Sequence, residues 1–134
     1  MKIILDTNVI ISAFVFKGNC GKVFDLSVNF FDSYISQWIL DEVSRVLKDK
    51  FESEESLIDE IKSILIKNYN YINPDNKLPE ICRDIDDNNI LQLAEYINAD
   101  YLITGDKDLL ILEKYYNTII LSPKDFVKIF DITD

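Results

Sequence analysis

Short apolar runs alternate along this chain with longer stretches of helical periodicity, and this alternation constrains the fold more than any other feature. Residues 2–6 contain a continuous apolar run that ends in an aspartate, as expected for a strand buried on both faces of a sheet. Further strands are predicted at residues 32–36, 69–72, 101–104 and 118–121. Strands that alternate with helices in this way predict an α/β fold, in which a parallel five-stranded sheet forms the middle of three layers, with helices on both faces.

The helical stretches between these strands each carry an apolar stripe. Apolar side chains recur every three or four residues from about residue 38 onward, at residues 53–70 and at residues 87–98. The stripe of the second of these stretches contains Leu57, Ile61, Ile64 and Leu65. A last helix is predicted to begin at Ser122, a favoured capping residue that is followed by proline. With 134 residues, of which 48% are apolar, we expect a single domain over residues 1–134.

The chain contains no histidine, and this absence removes several classes of active site. It excludes Ser-His-Asp and Cys-His catalysis and zinc sites with imidazole ligands. The two cysteines are too few for a disulfide framework or a four-thiolate zinc site, and they fit a reducing compartment. The net charge of −10 disfavours a protein that binds nucleic acid through a broadly basic surface. Any chemistry must therefore rest mainly on carboxylates, backbone groups and hard metal ions.

The sequence lacks the features of a membrane or secreted protein. No apolar run approaches the roughly 20 residues that a membrane span needs. The apolar stretch at residues 9–16 is short and follows Asp6, whereas a signal peptide begins with basic residues. We therefore expect a soluble, cytoplasmic protein with no membrane partner.

Aspartates follow two of the predicted strands directly. Asp6 comes at the end of the first strand, and Asp106 and Asp108 come just after the strand at residues 101–104. In open α/β sheets, ligands bind beyond the carboxyl ends of the strands, at the point where the strand order reverses. If these two strands are neighbours at that point, the three carboxylates converge. Ordinary turn or helix-cap chemistry is the alternative explanation for an aspartate in such a position.

Two further acids lie on the apolar faces of predicted helices. Glu42 follows Ile39 by three residues, and Asp87 precedes Ile90 by three. An acidic first turn that favours the helix dipole also accounts for Asp87, and a side chain bent back to water accounts for Glu42. Together with the strand-end aspartates, however, these carboxylates would repel one another unless a cation lay between them. Because oxygen ligands alone select hard ions, the sequence predicts Mg²⁺ or Mn²⁺ rather than zinc.

Four blocks of the sequence carry a resemblance to a known family. They are Leu5-Asp6-Thr7-Asn8-Val9, Leu40-Asp41-Glu42-Val43, Arg83-Asp84-Ile85-Asp86-Asp87-Asn88 with Leu91 and Leu93-Ala94 behind it, and Ala-Asp-Tyr-Leu-Ile-Thr-Gly-Asp-Lys-Asp-Leu-Leu at residues 99–110. In this order and spacing they resemble a PIN-domain protein, and most closely the bacterial toxin components of toxin–antitoxin systems. The likeness runs from Met1 to about Asp125 and covers nearly the whole chain.

The resemblance implies a fold, an activity and a set of site residues. It implies a sheet with strand order 3-2-1-4-5, an acidic pocket at the carboxyl ends of the strands, and metal-dependent endoribonuclease activity on single-stranded or structured RNA. The implied catalytic residues are Asp6, Glu42, Asp87 and Asp106. The implied ligands for Mg²⁺ or Mn²⁺ are Asp6, Asp87, Asp106 and Asp108. The positions that support the pocket fall on Thr7, Asn8 and Thr104.

Several alternatives stay open at the level of the sequence. Asp84 and Asp86 compete with Asp87 for the same role, and the spacing of Asp87 to the apolar stripe of its helix favours Asp87. The pattern is compatible with one or two metal ions. It is also compatible with any of the implied acids as the general base that activates water. A phosphoacceptor signalling domain would need a second acid beside Asp6 and a lysine after the last strand, where Lys124 is a partial match. A non-catalytic domain with a magnesium-binding acidic pocket is the other alternative.

RNA binding by so acidic a chain would depend on the metal and on a local basic patch. The patch that the sequence offers consists of Lys17, Lys22, Arg45, Lys48 and Lys50. Binding through few cations predicts weak intrinsic affinity for RNA and a shallow dependence on salt. The resemblance further implies a small antitoxin protein as partner, and homodimers are usual in this family.

Overall fold

The computed structural model of the protein describes residues 1–131, so residues 132–134 of the predicted single domain lie outside the described part. Six strands within those residues run through Lys2–Leu5 (β1), Asp32–Ile35 (β2), Asn70–Tyr71 (β3), Tyr101–Ile103 (β4), Lys114–Tyr115 (β5) and Thr118–Leu121 (β6). Seven helices in the same range run through Thr7–Val15 (α1), Gly18–Phe30 (α2), Gln37–Phe51 (α3), Glu55–Asn68 (α4), Ile85–Ile97 (α5), Lys107–Leu110 (α6) and Pro123–Phe130 (α7).

The strands form one sheet in the order β3-β2-β1-β4-β6-β5. All neighbouring pairs are parallel except β5 and β6, which pair antiparallel at one edge. The predicted order 3-2-1-4-5 is confirmed, with the predicted fifth strand present as β6. The predicted number of five strands was wrong by one, because β5 has two residues and no apolar pattern. It forms because the chain reverses at Tyr116, which adopts a positive φ of 51°.

Helices cover the centre of the sheet on both faces. Ile3, Ile4 and Leu5 of β1 are each at most 1% exposed, although successive side chains of a strand point to opposite faces. A strand that is buried along its length therefore has a layer on each side, as the sequence predicted. α7 packs against α2, and Phe126 of α7 is completely buried. The α/β arrangement in three layers is thus confirmed.

α5 begins two residues earlier than predicted. The Asp84 side chain accepts a hydrogen bond from the backbone N–H of Asp86 at 2.9 Å and so acts as the N-cap. Ile85 is therefore the first helical residue, and Asp87 lies within the first turn. This start keeps Asp87 on the buried side of the helix.

The apolar stripe of α4 begins one residue later than predicted. Ile58 is buried, whereas Leu57, which the predicted stripe included, is 45% exposed. Ile61 and Leu65 are buried as expected. Positions 57 and 58 are both apolar, so packing of α4 against α3 and β2 decides which of them enters the core.

The helices are short compared with the thickness of a bilayer. The longest, α3, has 15 residues. Within residues 1–131, none combines the length and the apolar composition that crossing a membrane requires.

The strand order reverses between β1 and β4. The chain lays β2 and β3 on one side of β1 and then returns to place β4 on the other side. Leu5 pairs with Ile103 in the parallel register, so the residues that follow these two strands meet at one edge of the sheet. A ligand site in an open α/β sheet is expected at this place.

Candidate active site

A polar pocket of about 190 Å³ opens at the carboxyl ends of β1 and β4. Half of the described residues that line it are acidic. The acidic lining residues are Asp6, Glu42, Asp84, Asp86, Asp87 and Asp106. The other lining residues are Thr7, Asn8, Trp38, Arg45, Val46 and Lys50. The fold therefore brings all four of the predicted catalytic acids to one pocket.

Asp6 is held by two hydrogen bonds at the end of β1. Its Oδ1 accepts from the backbone N–H of Thr7 at 2.7 Å, so Asp6 is the N-cap of α1. Its Oδ2 accepts from the hydroxyl of Thr104, also at 2.7 Å. Burial raises the pKa of Asp6, and these two hydrogen bonds oppose the rise. Asp6 is thus a fixed carboxylate with a partner for each oxygen.

Thr104 connects Asp6 to the aspartates that follow β4. It is completely buried, and besides donating to Asp6 its Oγ1 accepts from the backbone N–H of Asp106 at 3.0 Å. Asp106 in turn accepts through Oδ1 from the backbone N–H of Asp108 at 2.8 Å and caps α6. One hydroxyl therefore sets the positions of two of the predicted site residues.

Asp87 is the least satisfied carboxylate of the pocket. It is 5% exposed, and its Oδ2 has no hydrogen-bond partner. Burial raises the pKa of Asp87 to about 7, and the neighbouring carboxyl of Asp106 and the charges of Asp84 and Asp6 reinforce the rise. A carboxylate in this state is stabilised by a proton or by a cation.

Asp87, Asp106 and Asp108 form a close group, which we call the acidic trio. A carboxylate oxygen from each of them lies within 4.8 Å of the other two. Oxygen donors at this spacing can hold a hard divalent cation such as Mg²⁺ or Mn²⁺. Asp6 lies next to the trio, because the Thr104 hydroxyl that donates to Asp6 also accepts from the backbone N–H of Asp106.

Two of the predicted site acids are paired with arginines. Arg45 donates two hydrogen bonds to the Glu42 carboxylate, at 3.0 and 2.9 Å. Arg83 donates to both oxygens of Asp108, at 2.9 and 3.1 Å. Glu42 lines the pocket outside the acidic trio, whereas Asp108 belongs to the trio from a position outside the pocket lining. The predicted acids therefore divide into the trio with Asp6 beside it, and Glu42 on the wall formed by α3.

Asp84 and Asp86, which competed with Asp87 in the sequence, line the same pocket. Asp84 is exposed and caps α5. Asp86 is half-buried, and its pKa is raised by burial and then by the charges of Glu42 and Asp84. Of these three aspartates, Asp87 is the one that belongs to the acidic trio. The geometry thus favours Asp87, as its spacing did.

Thr7 and Asn8, the other predicted supporting residues, lie in the first turn of α1. Thr7 is buried, and its Oγ1 has no hydrogen-bond partner among the described residues. Asn8 is exposed and lines the pocket. Both residues line the pocket, Thr7 with a buried hydroxyl and Asn8 with an exposed side chain.

Comparison with known proteins agrees with the resemblance in the sequence. The PIN domain family matches residues 2–108, which is most of the chain. This chain belongs to the PIN domain family. PIN domains are generally nucleases, so hydrolysis of phosphodiester bonds is the chemistry expected of the acidic pocket. A search of curated proteins gave no match to this sequence.

A solved structure shows the same fold as this PIN domain. It is the crystal structure of VapBC2 from Rickettsia felis bound to a DNA fragment from their promoter, and the TM-score is 0.66. The match covers 91% of this chain and 98% of the other chain, at 17% sequence identity. The likeness at this identity is one of fold.

Four residues that line the pocket of this PIN domain from α3 lay outside the predicted acidic site. They are Trp38, Arg45, Val46 and Lys50. Trp38 precedes Glu42 by four residues and Arg45 follows it by three, so the helical period puts them on the face of Glu42. That spacing is the signal in the sequence that could have identified them.

Four residues of the predicted basic patch are distributed over two hollows. Arg45 and Lys50 line the acidic pocket, whereas Lys17 and Lys22 line a separate hollow between α1 and α2. Lys48 is exposed in the last turn of α3 and lines neither. Within the described part of the chain, the cations of the patch that face the site are therefore the two on α3.

Proposed function

We propose that this protein is a metal-dependent endoribonuclease that hydrolyses RNA phosphodiester bonds, and that it is the toxin component of a toxin–antitoxin pair. The observation that carries the proposal is the acidic trio, in which Asp87 keeps a buried oxygen without a partner. Membership of the PIN domain family supports the same activity. Mg²⁺ or Mn²⁺ is the proposed cofactor.

The donor atoms of the trio fit a hard divalent cation. They are oxygen atoms only, and the chain has no histidine to favour a softer metal. A buried carboxylate oxygen without a partner is costly, so a cation beside Asp87 would stabilise the pocket. We expect Asp87, Asp106 and Asp108 to hold the metal, with Asp6 beside them as a further ligand. When bound, the metal supplies neutralisation of the phosphate charge and activation of water.

The chain's own residues would arrange the rest of the reaction. Asp6, held by Thr104 and by the backbone of α1, keeps its carboxylate in one orientation. Glu42 lies outside the trio, and we propose that it orients the attacking water. The water oxygen forms a bond to phosphorus, its proton passes to a carboxylate of the pocket, and the bond to the leaving ribose oxygen breaks as that oxygen takes up a proton from solvent.

An antitoxin partner is proposed from two likenesses. The sequence blocks resemble toxin components of toxin–antitoxin systems, and the fold is similar to that of VapBC2, which was solved bound to a DNA fragment from its promoter. We expect a small partner protein to bind this chain and to suppress cleavage, and we expect the chain to form homodimers. An RNA substrate would be met in the cytoplasm, which is the compartment we propose.

Cleavage of a mixed pool of single-stranded RNA by the purified protein tests the proposed activity. Parallel reactions contain Mg²⁺, Mn²⁺ or EDTA, and include the variants Asp6→Asn and Asp59→Asn. Asp59 is an exposed acid on α4 that does not line the pocket, so its substitution is a matched control for the loss of one charge. We expect cleavage that requires metal, disappears in Asp6→Asn and persists in Asp59→Asn.

Two results would contradict the proposal. Cleavage that persists in EDTA and in Asp6→Asn would show that the pocket is not the site of the reaction. A folded protein that binds Mn²⁺ but cuts no RNA in the pool would argue for a non-catalytic domain with a metal-binding pocket instead.

A further inference from the structure

The wall of the pocket that α3 forms differs in chemistry from the other walls. It carries Trp38, Arg45, Val46 and Lys50 beside Glu42, whereas the other lining residues are five aspartates together with Thr7 and Asn8. Trp38 is half-buried, and part of its side chain packs against the hydrophobic core. The rest of the side chain borders the pocket. A large aromatic ring that is anchored on one side and open to a polar pocket on the other can accept a flat ligand.

Arg45 and Lys50 are the cations that line the pocket among the described residues. Arg45 donates to Glu42 through Nε and one terminal nitrogen, and its side chain is 53% exposed. The other terminal nitrogen lies 3.9 Å from the exposed carboxylate of Asp49, which is an ion-pair distance. A guanidinium carries five N–H donors, of which Glu42 accepts from two, so a phosphate would compete with Asp49 for the donors on that nitrogen. Away from a bound metal the aspartates repel phosphate, whereas the cations of the α3 wall attract it, so the phosphates next to the scissile one are best placed along the α3 wall.

We infer that the α3 wall binds the RNA strand, with one base stacked on Trp38 and the adjoining phosphate bound by Arg45 and Lys50. The inference rests on the proposed function and narrows its substrate to single-stranded RNA. A base within a duplex already stacks on its neighbours, so only an unpaired base can lie against Trp38. Stacking on an aromatic side chain tolerates all four bases, and binding should therefore depend on strandedness more than on sequence.

The fluorescence of Trp38 reports on this contact without any cleavage. Trp38 is the only tryptophan of the chain, so any change in tryptophan emission is assigned to it. The Asp6→Asn protein is titrated in Mg²⁺ with a short RNA of mixed sequence, first as a single strand and then as the duplex with its complement, and a gel verifies that the RNA stays intact. We expect saturable quenching by the single strand and little change with the duplex.

Substitution of Trp38 separates stacking from a structural role. We expect Trp38→Leu to weaken binding of a labelled single strand by at least about fivefold, the lower end of what one stacked base contributes. Trp38→Phe keeps an aromatic face and should retain most of the affinity. If Trp38 acted only through core packing, the Leu and Phe variants would weaken binding to a similar extent. Tyr96→Leu removes an exposed aromatic ring of α5 outside the pocket and should bind as the wild type does. Fluorescence anisotropy measures the affinities, and circular dichroism verifies folding.

The salt dependence of binding tests the two cations. Two phosphate contacts on a single strand predict a slope of log K against log salt of about −1.4. Arg45→Gln should reduce its magnitude by about 0.7, because one contact is lost. Lys67→Gln, an exposed charge in the last turn of α4, should leave the slope unchanged.

The outcomes distinguish this inference from the proposed function. Emission that stays unchanged while RNA binds, an unaltered affinity in Trp38→Leu, or equal binding of the duplex would overturn the inference, as would a failure to bind RNA at all. If the wild-type protein cuts RNA but shows any of these results, the proposed function stands and the inference is wrong. If the protein binds single strands through Trp38 but never cuts them, the inference stands and the proposed nuclease activity is wrong.

Discussion

Asp6 and Asp87 are two buried carboxylates of one pocket, yet their surroundings differ. Asp6 is 8% exposed, and both of its oxygens accept hydrogen bonds at 2.7 Å. Asp87 is 5% exposed, and its Oδ2 has no partner. Burial raises the pKa of both groups, but hydrogen bonds oppose the rise at Asp6, whereas neighbouring carboxyls reinforce it at Asp87.

The two carboxylates differ because only one of them receives hydrogen bonds from the fold on both oxygens. The fold itself provides the partners of Asp6, which are the backbone of α1 and the hydroxyl of Thr104. Asp87 lacks such a partner and reaches a stable state only with a proton or a cation. The pocket therefore contains Asp6, whose two oxygens accept hydrogen bonds within the fold, and Asp87, whose free oxygen needs a ligand.

The largest expected effect comes from removing the unsatisfied charge. In Asp87→Asn the trio loses one carboxylate, and we expect the rate of RNA cleavage to fall by at least about 100-fold because a proposed metal ligand is lost. Calorimetry should show a parallel loss of Mn²⁺ affinity. Asp75→Asn, an exposed acid before α5, is the control. Wild-type cleavage by Asp87→Asn would mean that the trio does not hold the catalytic metal.

The next largest effect comes from removing the partner that satisfies Asp6. Thr104→Val deletes the donor to Asp6 and the acceptor for the backbone N–H of Asp106. We expect cleavage to fall by about 10- to 100-fold and stability by about 1–3 kcal/mol, because a buried oxygen is left unpaired. RNA cleavage assays and urea unfolding measure the two effects. Thr104→Ser keeps the hydroxyl and should stay close to wild type, and an equal loss in both variants would assign the effect to packing.

A smaller effect should appear in the pH dependence of stability without metal. In EDTA, the pKa of Asp87 is about 7 in the folded protein and near its ordinary value of 3.8 when unfolded. The folded state then holds the extra proton between these values, so the free energy of unfolding falls as pH rises toward 7. Between pH 5 and pH 8, we expect the free energy of unfolding to fall less in Asp87→Asn than in the wild type, by on the order of 1–2 kcal/mol. Urea unfolding at several pH values measures it, and an equal decline in both proteins would contradict the role given to Asp87.

The smallest effect should come from the exposed partner of Asp108. The guanidinium of Arg83 pairs with Asp108 at 2.9 Å and competes for a carboxylate of the trio. We expect Arg83→Gln to tighten Mn²⁺ binding by about two- to fivefold at low salt, the range of an exposed ion pair. Lys77→Gln, an exposed charge on the same connection, should change the affinity less. Weaker binding by Arg83→Gln would show instead that the arginine positions Asp108 for the metal.

Much of the fold could be predicted because buried parallel strands are short, continuous apolar runs. The strands β1, β4 and β6 lie where such runs predicted them, and their order agrees with the family resemblance. β5 could not be predicted, since two residues carry no periodicity and their pairing depends on a reversal at Tyr116. The start of α5 lies two residues before the predicted one for a similar reason. It is decided by a single hydrogen bond, which the backbone N–H of Asp86 donates to the side chain of Asp84.

The site was predicted in part. Aspartates at strand ends and acids on helix faces are local patterns, and the pocket contains Asp6, Glu42, Asp87 and Asp106 as the sequence led us to expect. The role of each remains a prediction. We did not predict that Trp38 and Arg45 share the wall of Glu42, although the helical period in the sequence contained that information.

By itself the sequence determined the alternation of strands and helices, the dependence on carboxylates in a chain without histidine, and the edge of the sheet at which those carboxylates lie. These properties are local, because they follow from side-chain periodicity, residue type and position relative to a strand end. The tertiary structure alone decided which carboxylate is satisfied, which keeps a buried oxygen without a partner, and that Asp108 meets Arg83. Those outcomes depend on contacts such as the one between Asp6 and Thr104, 98 residues apart, whose geometry exists only once the sheet has formed.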